Sequence, residues 1–79
     1  MQRGQQSPLS YLKAASGGEI VVRLKNGIEI AGRLRSFDDM MNLVLESAKE
    51  RDPHSKEVKR HVGTLFIRGN NVLFITVEE

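Results

Sequence analysis

The sequence predicts a mainly β protein: a short N-terminal helix followed by a five-stranded, strongly bent antiparallel small barrel. Three observations predict it. The apolar spacing is helical before Gly17 and switches to a period of two from Glu19; turn residues then interrupt the alternating segments at short intervals; and Gly32 breaks the apolar face of a segment long enough to serve both halves of a curled sheet. With 79 residues there is material for one domain and a marginal core.

Residues 1–7, MQRGQQS, are polar and aperiodic and read as a flexible arm. The domain proper is expected over residues 8–79. In SPLSYLKAASGG, Ser7 can cap a helix over residues 8–16, Pro8 suits its first position and Gly17-Gly18 stops it. Leu9, Leu12 and Ala15 then share a face, so the helix should pack against the rest of the chain.

Ile20, Val22 and Leu24 alternate in the first strand, and Asn26-Gly27 is the strongest hairpin signal in the chain. The second strand, residues 28–37, puts Ile28, Ile30 and Leu34 on one face and Glu29, Arg33 and Arg35 on the other. A third strand is read over residues 42–48, a charged Pro-containing loop over ERDPHSKEV, a fourth strand over residues 58–67 and a fifth over VLFITV, after the turn RGNN. Small barrels of the SH3-like and oligonucleotide-binding kinds have this build. An open barrel leaves two unpaired edges, and VLFITV is apolar and uncharged. A ring of subunits, each last strand pairing with a neighbour's fourth, would satisfy both.

Composition narrows the function classes. The charge of +2 favours polyanions without demanding them, and Arg23, Lys25, Arg33 and Arg35 read as a solvated sheet face. Absence of cysteine fits a reducing, cytoplasmic setting, and no apolar stretch is long enough for a membrane span. His54 and His61 have no ligand partners at metal spacing, so no metal and no cofactor are expected. No nucleophile stands at a defined spacing from a base, and no glycine-rich phosphate loop links a strand to a helix. The sequence therefore gives an enzyme no candidate residues.

Two polar turns remain, SFDDMMNLVL and FIRGNNVLFI. Turn chemistry explains Asp38, Asp39 and Asn42 on its own, with Gly69 and Asn70 supplying backbone freedom and a turn dipeptide. Together, IEIAGRLRSFDDMMNLVL and LFIRGNNVLFI resemble the two signature blocks of the Sm and Sm-like (LSm) RNA-binding proteins. The shared features are Gly32, Phe37-Asp38, Met41-Asn42 with Leu43 and Leu45, and Arg68-Gly69-Asn70. The first block falls in residues 19–49, the second in residues 58–77, and residues 50–57 lie between them. The short spacer looks most like an archaeal Sm-like protein.

The resemblance implies the Sm fold, a six- or seven-membered homo-oligomeric ring with a heptamer favoured, and uridine-rich single-stranded RNA bound at the pore. It implies that Asn42 hydrogen-bonds a uracil edge, that Arg68 contributes hydrogen bonds and packs on a base, and that Asp38 holds the first turn. Gly69 and Asn70 complete the second turn, and Met40 stands beside the base. The family usually has histidine or tyrosine at that position, so Met40 replaces a stacking ring with a softer thioether. A second reading, from another class, is a ring-forming protein-interaction scaffold with weak or no RNA binding. Met40 favours it and the Asn42–Arg68 pair opposes it.

Overall fold

The computed structural model describes residues 8–77, so the N-terminal arm and the Ser7 cap lie outside the described residues. Helix α1 (Pro8–Ala15) is followed by strands β1 (Glu19–Leu24), β2 (Glu29–Phe37), β3 (Leu43–Arg51) and β4 (Val58–Ile67), a 3-10 turn (Gly69–Asn71) and β5 (Val72–Val77). Among the described residues no helix is long and apolar enough to cross a membrane.

The strands form one antiparallel sheet in the order β4-β3-β2-β1-β5, so β4 and β5 are its edges. Laid flat, those edges would stand roughly 19 Å apart, at about 4.8 Å per strand. Four residues, 68–71, join them, and three of these are wound into the 3-10 turn. The sheet therefore has to curl.

The curl is built into β2 and β3. At Gly32 a Cβ would lie 3.1 Å from the Ala48 Cα and 3.3 Å from the Glu46 carbonyl oxygen, so any side chain there would push β3 back by a few tenths of an ångström. The β2–β3 register slips between Ala31 and Arg33, and Ser47 takes a left-handed φ of 52° at the extra residue. Such a bulge bends the strand and sharpens its twist.

Ile20, Val22, Leu34, Leu43 and Leu45 fill the interior. The face of α1 expected to pack does so: Leu12 and Ala15 are buried and Leu9 packs against the same cluster. The helix exit is tied to β2, since the Gly17 amide donates to the Leu34 carbonyl at 2.8 Å and the Leu34 amide to the Gly18 carbonyl at 2.9 Å.

Two expectations are corrected. The third strand runs to Arg51 instead of ending at Ala48, because Lys49, Glu50 and Arg51 pair with Ala31, Ile30 and Glu29 and the ladder outweighs their polar character. Glu29 is not on a solvated face with Arg33 and Arg35. It is 2% exposed, since upstream of the bend both faces of β2 are covered and Arg23, Arg51 and Lys56 close over its carboxylate. The basic residues of β1 and β2 accordingly divide: Arg23 joins Glu29, while Arg33 and Arg35 share Glu46 at 2.6 and 3.3 Å on the outside.

Candidate nucleic-acid interface

Asp38 follows the last residue of β2 and organises the first turn. Its Oδ1 accepts from the amides of Met40 at 2.9 Å and Asn42 at 3.0 Å, and its Oδ2 accepts from Asn42 Nδ2 at 2.9 Å. These bonds, led by the one from the Asn42 side chain, stabilise the ionised carboxylate and hold its pKa below the usual value. They also hold Met41 at a left-handed φ of 65°. That conformation costs a methionine about 1 kcal/mol. The half-buried side chain packs against the core.

The second turn is wound so that the Asn71 amide donates to the Arg68 carbonyl at 3.0 Å, and the Asn71 carbonyl accepts from the Lys25 amide at 2.9 Å. It meets the first turn at Gly69, whose amide donates to Asn42 Oδ1 at 2.7 Å. A Cβ at Gly69 would fall within 3.0 Å of the carbonyl carbons of Met40 and Met41 and would overlap the Met40 carbonyl oxygen. Glycine is required here for space.

Asn42 is thus fixed from both sides. Asp38 only accepts, so it takes the Nδ2 group; the Gly69 amide only donates, so it takes Oδ1. Both select the same amide orientation. One N–H and one oxygen lone pair remain for a ligand.

The turns line an open cleft of about 1000 Å³ that brings together Asp38, Met40, Asn42, Arg68, Gly69 and Asn70, the six residues that the resemblance assigns to RNA binding. Arg68 is exposed and, among the described residues, has no carboxylate partner. Met40 is 71% exposed on the same wall. Phe66 also lines the cleft and is 76% exposed. Sequence reasoning overlooked it, although residues two apart in a strand share a face and Phe66 precedes Arg68 by two. His54 and His61 lie on the surface, outside this cleft.

Comparison with known proteins gives one consistent result. Residues 10–77 match the LSM domain model. The chain is 42% identical over 73 residues to the U6 snRNA-associated Sm-like protein LSm6 of Coprinopsis cinerea, covering 92% of this chain and 75% of that one. Its fold superposes with a TM-score of 0.85 on the Pyrococcus abyssii Sm protein in complex with a uridine heptamer, at 34% identity over 92% of this chain and 100% of that one. It superposes with a TM-score of 0.84 on the P. aerophilum SmAP1 heptamer, at 37% identity over 96% and 99% of the two chains. The chain belongs to the LSM domain family of Sm-like RNA-binding proteins, which are not enzymes.

Proposed function

We propose that this protein binds uridine-rich single-stranded RNA in the cleft between its two turns, as a closed homo-oligomeric ring, with seven subunits as the favoured number. The observation that carries the base reading is the fixed Asn42 amide. In one pose its free N–H meets the uracil O4 and its free lone pair meets the N3–H. Cytosine in that pose sets donor against donor and acceptor against acceptor. Arg68 supplies a guanidinium plane for a base face, and Met40 offers a softer apolar contact beside it. Asp38, Gly69 and Asn70 support this arrangement from the turns. A likeness to a uridine-bound Sm protein points the same way.

Ring formation is supported by the two edge strands, each paired on one side only, and by the exposed apolar residues Phe66 on β4 and Leu73 and Phe74 on β5. An archaeal-type homo-ring agrees with the likeness to the P. aerophilum SmAP1 heptamer. A chain without cysteine suits the reducing cytoplasm.

The test is binding of oligo(U), oligo(C) and oligo(A), with the mass of each complex recorded by native mass spectrometry. The expected result is a seven-subunit ring that prefers oligo(U). Equal affinity for all three would reduce the interaction to electrostatics, and a ring that binds none of them is the protein-interaction scaffold. Monomer persisting at micromolar concentration removes the edge-pairing argument. A chain that assembles only with other LSM chains has a mixed ring, and a hexamer corrects the count alone.

A further inference from the structure

Met40 combines three properties. Its amide is held by Asp38 Oδ1 at 2.9 Å and its carbonyl abuts Gly69, so its backbone is fixed. Its side chain is exposed, whereas Met41 is half-buried and packs on the core. It shares a cleft with Asn42 and Arg68. We infer that Met40 is an oxidation site at which hydrogen peroxide switches the cleft from a tighter to a weaker RNA-binding state; this rests on the RNA reading above.

The chemistry needs only the thioether and the peroxide. A sulfur lone pair attacks one peroxide oxygen, the O–O bond breaks as the S–O bond forms, and the hydroxide that leaves takes up a proton as water. Sulfur is oxidised by two electrons and the peroxide is reduced by two. Exposure sets the order of attack, so Met40 reacts before Met41.

The product differs from the thioether in two ways that matter here. A soft apolar contact for a base becomes a polar, strongly accepting sulfoxide. That oxygen also stands in a cleft with Arg68, which has five donors and, among the described residues, no carboxylate to satisfy them. The sulfoxide therefore competes with RNA for the guanidinium while replacing an apolar contact with the base by a polar one.

The test treats the full-length protein with dilute hydrogen peroxide, maps oxygen gain by peptide mass analysis and follows oligo(U) affinity. Met40 should gain oxygen ahead of Met41, and bound oligo(U) should slow that gain. Affinity should fall about tenfold in step with Met40 oxidation, the equivalent of one base contact. Methionine sulfoxide reductases acting on both epimers should restore it. Whatever affinity Met40→Leu has before treatment should be kept after it. Oxidation of Met41 first, full Met40 oxidation with unchanged affinity, or an equal peroxide-induced loss in Met40→Leu would each overturn the inference and leave the RNA reading standing. An untreated protein that does not bind oligo(U) overturns both.

Discussion

Glu29 and Asp38 flank β2, one as its first residue and the other just past its last, and each gathers hydrogen bonds to a single carboxylate. Their surroundings are opposite. Glu29 is buried and its partners are the charged groups of Arg23, Arg51 and Lys56, two of them more than twenty residues away along the chain. Asp38 is exposed and its partners are the neutral amides of Met40 and Asn42 in its own turn. Burial alone would raise the Glu29 pKa, but the hydrogen bonds from Arg51, Lys56 and Arg23 outweigh it and hold the carboxyl below its usual value. One carboxylate joins distant strands and a loop; the other aims a side chain at solvent. The first should govern stability and the second recognition.

The sharpest way to break that division is Glu29→Gln. It leaves three partly exposed cations around a buried neutral amide, and losing the carboxylate they share should cost about 3 kcal/mol, the low end of the range because water reaches all three. Denaturant midpoints measure it, and oligo(U) preference in the folded fraction should not move. A loss below about 1 kcal/mol would class the cluster with surface ion pairs.

Gly69→Ala tests the junction of the two turns. Forcing a methyl group against the Met40 carbonyl should cost about 2–3 kcal/mol and also release the Asn42 amide. Stability and base preference should fall together. Intact preference in the destabilised variant would show that Gly69 does not orient Asn42.

Within the cleft, Asn42→Ala and Arg68→Ala should each weaken oligo(U) binding by about 1–2 kcal/mol while the ring mass stays unchanged. Asn42→Ala should also erase discrimination between oligo(U) and oligo(C). Binding that survives both changes would place RNA elsewhere. Met40→Tyr should add about 1 kcal/mol, since a ring stacks better than a thioether that already fills part of the space.

The smallest expected effect is that of pH. Both carboxyls have folded-state pKa values below their unfolded ones, so each contributes stability that is full above the unfolded value and lost as pH falls through the folded one. With unfolded values near ~4, neither should change stability between about pH 5 and 8. Acid unfolding that begins above pH 5 would mean that these two groups do not control it.

The contrast also explains what could be read in advance. Asp38, Asn42, Arg68 and Gly69 lie in two short blocks, and the resemblance of those blocks to the Sm signature motifs nominates them. Strand number, the helix face and the bend at Gly32 were equally legible, because each is a pattern in neighbouring residues. Glu29 was not. Alternation assigned it to the face of Arg33 and Arg35, and nothing local reports that Arg51 and Lys56 fold over it. The extra length of β3 was hidden for the same reason, since its charged end is held by pairing partners. At Gly69 the residue type could be read, but its contact with Met40 joins positions far apart in the chain.

That contact has a consequence for how the sheet finds its alignment. Strands of alternating character can slide by two residues and still present their apolar side to the interior. A two-residue slide of β4 against β3 would carry Gly69 away from the Met40 carbonyl and bring up a residue with a Cβ, Ile67 or Asn71, which that space cannot admit. The missing side chain works as a steric key with one fitting position. A misaligned chain would bury much the same oily surface and still lack a formed cleft, so the capacity to bind a base would report that β4 has folded against β3 in the right alignment.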